Sequence, residues 1–370
     1  MRGSIAPFNL GGIVRLELKQ FTGTFEVGED KFPAIFEVRA EDDGRLQISL
    51  MPMLTQHALA LQNTMGEPGS PVQEISLMGS NKNGETFLSH TVSVSGVRMT
   101  IPNDNPGQIR LSMREAKVAG VLDSPALYPA MRLWFRGFKS SFNAPVKTLL
   151  GLVEVRGSYK SVDASEMSGF VAVHADDGTD LGGWAEKADN FLTFMHRGLA
   201  FSRGGRLQTP GVEHYVGDRW EATYYDGSGF QGGLAPIHHL NQGPFIGALA
   251  KRFEEPKPFP DMLWTAVGMM NTDTSFDSIR LLMSMTALDA IVEHIMPKSM
   301  TTVMPKVDFV NVRDKLLAAL SEVPLDDEVY RDILSSKIKQ LNNRTLAQKL
   351  QTLRDHYALP SSVFTDEAIA

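Results

Sequence analysis

The sequence predicts an α+β protein, with an antiparallel, sandwich-like β domain followed by an all-α helical bundle. Three observations support this prediction. Several short segments of the first half alternate apolar and polar residues with a period of two. Turn-forming residues separate those segments. From Pro244 onward, apolar residues recur mainly three and four positions apart, which is the spacing of amphipathic helices.

The strand predictions depend on this alternation. In the segment RLQISL, the apolar residues Leu46, Ile48 and Leu50 would share one face of a strand. The same reasoning predicts strands in GIVRLELK (12–19), QIRLSM (108–113), MRLWFRGF (131–138) and GFVAVHA (169–175). Asn83-Gly84 lies between two further candidates, EISLM and TFLSHTVSVSG, and predicts a tight hairpin turn. We assign residues 1–183 to the β-rich domain.

A mixed segment, residues 184–260, is predicted to connect the two domains. It begins with a helix whose apolar stripe consists of Trp184, Ala188, Phe191, Leu192, Met195 and Leu199. A hairpin is predicted next, in EHYVGDRWEATYYD (213–226), and then a helix in PFIGALAKRF (244–253). The proline-rich stretch EEPKPFP (254–260) ends the segment.

Residues 261–370 are predicted to be helical. The predicted helices lie in DMLWTAVGMM (261–270), SFDSIRLLMSMTALDAIVEHIM (275–296), VDFVNVRDKLLAALSEV (307–323), DDEVYRDILSSKIKQL (326–341) and TLAQKLQTLRDHY (345–357). Ser275 is predicted as the N-cap of the longest one. Its apolar stripe is predicted to be Leu281, Met285, Leu288, Val292 and Ile295, and the stripe of the last helix Leu346, Leu350, Leu353 and Tyr357.

Composition excludes several functional classes. The 370-residue chain has no cysteine, which excludes disulfides, cysteine nucleophiles, thiolate zinc sites and iron–sulfur clusters, and which fits a reducing cytoplasm. The net charge of -7 argues against a surface that binds nucleic acid throughout. No segment has the unbroken apolar length of a membrane span. We therefore predict no cofactor, no metal site, no membrane partner and no DNA partner.

Two motif-like features are interpreted as structural. GSGFQG (227–232) has the glycine spacing of dinucleotide-binding loops, but no buried parallel strand precedes it and no helix follows, so a flexible turn is predicted. The adjacent His238 and His239, with His196 and His214 upstream, lack the spacing of a metalloprotease site. Loop or surface positions are predicted for these histidines.

A stretch without acidic residues, 335–354, contains five cations: Lys337, Lys339, Arg344, Lys349 and Arg354. They could form a face that contacts RNA phosphates on an otherwise acidic protein. They could instead belong to a solvated helix surface whose acids lie just outside, at Asp332 and Asp355. We favour the second interpretation. For Asp289, within the longest apolar helix, a polar edge position and a buried acid with a partner remain open.

Two helical segments resemble known proteins. TALDAIVEH (286–294) resembles the first long helix of large bacterial HEPN-domain proteins, where a leucine and an acidic residue occupy this setting. QLNNRTLAQKLQTLRDHYALP (340–360) resembles the Leu-Asn turn and following amphipathic helix of the same proteins. The β-rich first half is similar in layout to their ApeA-like branch. The sharper matches lie within 275–370. The resemblance implies a metal-independent ribonuclease family, often dimeric and used in antiphage defence.

The chain departs from this family at the catalytic motif. In the family, a further helix carries an arginine and, four to six residues beyond, a histidine that can transfer protons while the arginine stabilises phosphoryl charge. VFTDEAIA (363–370) resembles the start of that helix, with Thr365 as its N-cap. None of the nine histidines has the required spacing, and the nearest pair, Arg206 and His214, has seven residues between. No catalytic residue is assigned, and the chain is expected to end before the motif.

The sequence thus favours a HEPN-like antiphage-defence protein or fragment that is inactive as a ribonuclease in this form. RNA is an expected partner, and a homodimer through the helical domain is expected. The alternative is a non-catalytic ligand- or partner-binding protein, with a β recognition domain and a helical assembly domain.

Overall fold

The computed structural model describes residues 19–40, 45–64, 73–98, 108–140, 145–160, 163, 166–204, 207–227, 237–255, 261–270, 277–325, 327–362 and 365–369. The chain divides into two compact units, Met1–Pro258 and Phe259–Ala370. They are called the β unit and the helical unit below.

The described part of the β unit contains thirteen strands and three α-helices. The strands are β1 (Lys19–Val27), β2 (Asp30–Ala40), β3 (Leu46–Pro52), β4 (Ile75–Ser80), β5 (Thr86–Arg98), β6 (Gln108–Met113), β7 (Glu115–Val121), β8 (Ala130–Arg136), β9 (Val146–Thr148), β10 (Gly151–Arg156), β11 (Met167–His174), β12 (Gly211–Val216) and β13 (Arg219–Tyr225). The helices are α1 (Thr55–Asn63), α2 (Trp184–Arg203) and α3 (Gln242–Glu254). A short 3-10 turn, His239–Asn241, precedes α3.

All thirteen strands belong to one antiparallel sheet, in the order β4-β1-β2-β3-β6-β5-β7-β13-β12-β8-β11-β10-β9. Strand β4 also pairs with β5, so the first six strands close into a ring. Strand β5 pairs with β7 as well, and the sheet continues from the ring as an open, seven-stranded part. The unit therefore has one sheet with a closed end and an open end.

Aromatic side chains fill the ring. Phe21, Phe36 and Phe87 are fully buried, and their ring centroids lie 5.3 to 5.6 Å apart. Where β1 meets β4, Gly23 lies directly opposite Gly79. A Cβ atom at Gly23 would overlap the backbone of Met78 and Gly79, so this close approach of two strands requires glycine.

Helix α2 packs on the open part of the sheet, against β8 and β11. All six residues of its predicted apolar stripe are buried. Gly183 and Gly204 flank the helix with positive φ angles of 64° and 74°, a backbone region that glycine adopts without strain. The helix is thus defined by an apolar face and by a glycine at each end.

The described part of the helical unit contains six α-helices: α4 (Asp261–Met270), α5 (Asp277–Ile295), α6 (Lys306–Glu322), α7 (Glu328–Gln340), α8 (Leu346–Tyr357) and α9 (Asp366–Ile369). A small core joins α5, α8 and α9 and consists of Val292, Met296, Leu350, Leu353 and Ile369. Helices α6 and α7 form a hairpin, in which Arg331 donates hydrogen bonds to the carbonyls of Leu320 and Val323 at 2.7 and 3.1 Å. Asn342 ties the base of this hairpin to Met304 through two hydrogen bonds.

The predicted order of an antiparallel β region followed by a helical region is confirmed. The β region is a single sheet that closes on itself, and not two stacked sheets, because β4 pairs on both of its edges. Helix α1 was missed, since its nine residues carry no side-chain cap. The hairpin predicted within 213–226 forms β12 and β13, which are inner strands between β7 and β8. The described residues between 184 and 254 therefore belong to the β unit.

Most of the predicted strand at 12–19 and the predicted N-cap Ser275 lie outside the described residues. The predicted stripe of α5 is only partly buried. Val292 is completely buried, whereas Leu281 and Met285 are 65% and 46% exposed. The C-terminal half of α5 contributes to the core and the N-terminal half does not. Helix α9 begins directly after Thr365, as predicted.

Candidate functional site

A cleft in the β unit lies beside strand β9 and helices α2 and α3, with a volume of roughly 550 Å³. This volume is in the range of small-molecule sites. The lining residues are Thr148, Leu149, Leu150, Gly178, Asp180, Lys187, Asn190, Phe191, Phe253 and Glu254. They come from the turn after β9, the loop after β11 and the facing sides of the two helices, so only the folded unit brings them together.

Apolar side chains form one wall of the cleft. Phe191 and Phe253 pack edge to face, with ring centroids 5.1 Å apart. Leu149, at the tip of the turn after β9, is 77% exposed. A leucine this exposed beside two phenylalanines offers an apolar surface that a ligand can cover.

Internal hydrogen bonds hold the turn that carries Leu149. The Thr148 hydroxyl donates to the Gly151 carbonyl at 3.0 Å and accepts from the Leu150 amide at 3.2 Å. The indole N–H of Trp184 donates to the Leu150 carbonyl at 2.9 Å, which ties the turn to the start of α2. Gly151 follows with a φ of 110°, a conformation that favours glycine. This wall is therefore largely preformed.

The rim of the cleft carries two carboxylates and one ammonium group. Lys187 lies 3.6 Å from Asp180 and donates to the Gly182 carbonyl at 2.9 Å. A hydrogen bond from the Gly182 amide, together with the charge of Lys187, holds the pKa of Asp180 below its ordinary value. Glu254 accepts a hydrogen bond from the Leu149 amide. Because acids outnumber the lysine, the rim favours a cationic or hydrogen-bond-donating group.

A second polar cluster is buried in the open part of the sheet. Arg132 on β8 and Glu213 on β12 face each other across the strands, and each is only 3% exposed. The nearest charged atoms of this pair are 3.5 Å apart. The Arg132 guanidinium also lies over the rings of Trp134 and Phe170, at 4.9 and 4.8 Å from their centroids. The hydroxyl of Tyr215 donates to Glu213 at 3.1 Å.

Burial dominates the electrostatics of this cluster. It lowers the pKa of Arg132, and the charge of Glu213 opposes that effect. Burial and the charge of Glu213 both raise the pKa of Tyr215, so the phenol stays protonated. Within the described part of the chain, Arg132 Nε and Trp134 Nε1 are buried without a hydrogen-bond partner. The adjoining cavity, lined in part by Trp134 and Glu213, is about 10 Å³ and has room for about one water molecule.

The five cations predicted as candidate RNA contacts do not form one open face. Lys349 is buried and pairs with Asp289 and Glu293 of α5. Arg344 donates to the Thr302 carbonyl at 2.9 Å, and Arg354 pairs with Asp366 at 2.8 Å. Lys337 and Lys339 are exposed near the end of α7. Three of these side chains therefore make hydrogen bonds or ion pairs within the helical unit.

Asp289 combines the two interpretations that the sequence left open, because its side chain is 51% exposed and also contacts Lys349 at 3.2 Å. Burial opposes protonation of Lys349, but its hydrogen bonds to Glu293 and Asp289 give it a raised pKa. The acid therefore lies at a polar edge and has a buried partner.

His196 and His214 lie in different surroundings. His196 contacts the Leu207 carbonyl at 2.6 Å, and His214 stacks beside Trp184 on the face opposite Glu213. Burial lowers the pKa of His214. Among the described residues, no group of three or more histidine, aspartate or glutamate side chains is placed to bind a metal ion. Most of the glycine-rich stretch 227–232 lies outside the described residues.

No significant match to this chain is found among protein-family models, curated proteins or solved structures. None of the helices in the described ranges is both long enough and apolar enough to cross a membrane. The candidate sites therefore depend on the geometry of this chain. Neither the cleft nor the Arg132–Glu213 pair was expected from the sequence, since the residues of each come from distant segments. The only sequence signal was the alternation that placed Arg132 and Glu213 within strands.

Proposed function

We propose that this chain is a non-catalytic binding protein, in which the β unit recognises a small ligand and the helical unit serves assembly. The cleft beside β9, α2 and α3 carries the proposal. It has a suitable volume, a lining with one exposed leucine and two packed phenylalanines, and a rim with few charges. These features are typical of a site that binds the apolar part of a ligand and orients the ligand through one polar group.

The rim suggests the class of ligand. Asp180 and Glu254 can accept hydrogen bonds or pair with a cation, whereas the Lys187 ammonium already lies near Asp180 and donates to Gly182. An aromatic or aliphatic amine covers the apolar wall with its hydrocarbon part and places its ammonium group at the acidic rim. A carboxylate of the same shape would meet two acids, and it should bind more weakly.

Tryptamine and indole-3-acetate test this assignment, because they share an apolar ring and differ in the sign of their charge. Isothermal titration calorimetry of the full chain should detect tryptamine binding that is at least about tenfold tighter than indole-3-acetate binding. Leu149→Arg should abolish tryptamine binding, because the new side chain covers the apolar wall and repels an amine.

Leu127→Arg is the matched control, since Leu127 is 82% exposed and lies outside the cleft. It should bind tryptamine like the wild type. Binding that both variants retain, or equal affinity for the two ligands, would contradict the assignment.

A HEPN-like protein of the RNA-cleaving, antiphage type is the second candidate. The supporting observation is that the two segments that carry the resemblance pack against each other. Leu350 and Leu353 of α8 share a core with Val292 of α5, and Lys349 bridges the same helices. The sharper matches lie within residues 275–370, and the arginine–histidine spacing is missing.

Incubation of the purified chain with single-stranded and structured RNA in EDTA tests the second candidate. We expect no cleavage, because no arginine of the sequence is followed by a histidine at the spacing with which that family combines charge stabilisation and proton transfer. Metal-independent cleavage that co-purifies with the chain and is lost on Lys337→Ala/Lys339→Ala substitution would favour the ribonuclease over the binding protein.

A further inference from the structure

A polar groove lies on the outer surface of the ring, across the neighbouring strands β2, β3 and β6. Side chains that point into the ring from these strands, such as Val38, Ile48 and Leu111, are almost completely buried. Because successive side chains of a strand point to opposite faces, the residues next to them point outward. The groove has a volume of roughly 160 Å³, and its polar lining residues are Glu37, Arg39, Gln47, Ser49, Gln108 and Arg110. It is called the outer groove below.

Two arginines flank the outer groove. Arg39 on β2 pairs with Gln47 of β3, and Arg110 on β6 pairs with Ser49, two residues further along β3. Neighbouring strands lie about 4.8 Å apart, so the two arginines leave the backbone about 10 Å apart across the sheet. Since both side chains line the same groove, they border it from two sides, with β3 between them.

The groups between the arginines are mainly hydrogen-bond donors. Gln108 Nε2 donates to the Ser49 hydroxyl oxygen, which leaves the Ser49 O–H as a further donor. The exposed Arg110 guanidinium makes no ion pair or hydrogen bond with any other described residue. Glu37 is the single acid among the described lining residues, and it lies on the opposite side of Ser49 from Arg110. The outer groove therefore favours an anion.

The arrangement of the two arginines favours a phosphoryl group over a carboxylate. A guanidinium is a planar fork of N–H donors that binds two oxygens of one anion. A carboxylate has only two oxygens in one plane, so it matches one fork. A phosphoryl group has at least three oxygens in a tetrahedral arrangement, and it can meet two forks that approach from different sides. The groove is smaller than sites that enclose a whole drug-sized ligand, so it fits the phosphoryl group alone.

We propose that the outer groove binds a phosphoryl group, with Arg39 and Arg110 as its cationic sides and the Ser49 hydroxyl as a neutral donor between them. The inference goes beyond the proposed function, and it is independent of the cleft beside β9 and its amine ligand. Glu37 repels an anion in the groove, so its neutralisation should strengthen binding, whereas neutralisation of Arg110 should weaken it.

A titration of inorganic phosphate with the full chain, followed by ³¹P nuclear magnetic resonance at constant ionic strength in sodium chloride, tests the proposal. The wild-type protein should broaden the phosphate signal saturably, with a dissociation constant of about 1 mM or lower. Arg110→Gln should raise this constant about tenfold, because a charge-assisted contact is lost. Arg219→Gln, at an exposed position of β13 outside the groove, is the matched control and should bind like the wild type.

The acid provides a second pair of variants with the opposite sign. Glu37→Gln should lower the dissociation constant about threefold, because it removes the repulsion within the groove. Glu221→Gln changes the net charge equally at an exposed position of β13, and it should leave phosphate binding unchanged. Circular dichroism of each variant checks that the β unit remains folded.

Ribose 5-phosphate distinguishes the two sources of the phosphoryl group. Tighter binding of ribose 5-phosphate than of inorganic phosphate would identify a phosphate ester as the ligand, and the reverse order would identify the free ion. A wild-type chain that does not broaden the phosphate signal saturably would overturn the proposal. Equal binding by Arg110→Gln and Arg219→Gln, or acetate that competes as well as phosphate, would also overturn it. Tryptamine binding at the cleft is measured separately, so failure of either assignment leaves the other intact.

Discussion

The two units bury their apolar residues to different extents. In the β unit, large apolar side chains among the described residues are mostly buried, and one cluster extends from the ring into β7, β12 and β13. In the described part of the helical unit, exposed large apolar side chains outnumber the buried ones, and the core of α5, α8 and α9 is small. The same chain therefore contains one unit with a large core and another with a small one.

This difference indicates where association can occur. A closed ring of strands satisfies its own backbone hydrogen bonds and buries its inward-facing side chains without help from another molecule. A helical hairpin such as α6–α7 buries only the stripe along which its two helices meet. Its outer apolar residues stay in water unless a further surface covers them. The exposed apolar residues of the helical unit are therefore the surfaces that a further molecule could cover, whereas the described part of the β unit covers most of its own.

The largest effect is expected for Glu213→Ala in the β unit. The substitution leaves the Arg132 guanidinium buried without its anion, which typically costs about 3 to 5 kcal/mol. Urea unfolding followed by tryptophan fluorescence measures the loss, because Trp134, Trp184 and Trp220 all lie in this unit.

Glu221→Ala, at an exposed position of β13, is the control and should cost less than about 0.5 kcal/mol. The double variant Arg132→Met/Glu213→Leu should recover most of the stability, since no buried charge remains. Equal losses for Glu213→Ala and Glu221→Ala would show that the buried pair is unimportant.

Ring closure is expected to depend on Gly23. Gly23→Ala forces a Cβ atom against the backbone of β4, and we expect a loss of roughly 3 kcal/mol because neither backbone can move freely. Gly96→Ala in β5 is the matched control, because its Cβ atom would find its nearest neighbour 4.0 Å away. The test is the urea midpoint of each variant, and a Gly23→Ala protein as stable as Gly96→Ala would contradict the tight β1–β4 contact.

In the helical unit, Lys349→Met should cost about 1 kcal/mol, because Asp289 and Glu293 are half-exposed and can be solvated again when the lysine is removed. The folded-state pKa of Lys349 is raised above the ordinary 10.5. The contribution of Lys349 to the free energy of unfolding is therefore complete at neutral pH. This contribution is lost as the pH rises above about 10.5 and through the raised folded-state pKa.

Wild-type and Lys349→Met proteins should accordingly differ in thermal stability at pH 7 and converge in strongly alkaline solution. A difference that is unchanged above the folded-state pKa would exclude the ion pair as its source.

The smallest effect is expected at the exposed end of α5. Leu281→Ser should change the free energy of unfolding by less than about 0.5 kcal/mol, because Leu281 is 65% exposed. Leu350→Ser, by contrast, places a hydroxyl in the α5–α8–α9 core and should cost about 3 kcal/mol. Chemical unfolding followed by circular dichroism measures both, and a large loss at Leu281 would show that the N-terminal half of α5 is covered in solution.

Local patterns in the sequence were sufficient for the type of most elements. The alternation in 45–50 and 108–113 corresponds to β3 and β6, Asn83-Gly84 corresponds to the β4–β5 turn, and the helical stripe after residue 184 corresponds to α2. In each case the signal spans a few residues, because side-chain direction repeats every two positions in a strand and every 3.6 in a helix.

Only the tertiary structure decided which elements meet. The pairing of β4 with both β1 and β5, the placement of β12 and β13 between β7 and β8, and the Arg132–Glu213 contact all join residues far apart in the chain. The cleft beside α2 likewise needs the turn after β9 and the end of α3. Periodicity indicates which face of an element is apolar, but it does not specify the partner that covers that face. Many apolar faces are chemically alike, so shape and register select among them only when the chain is folded.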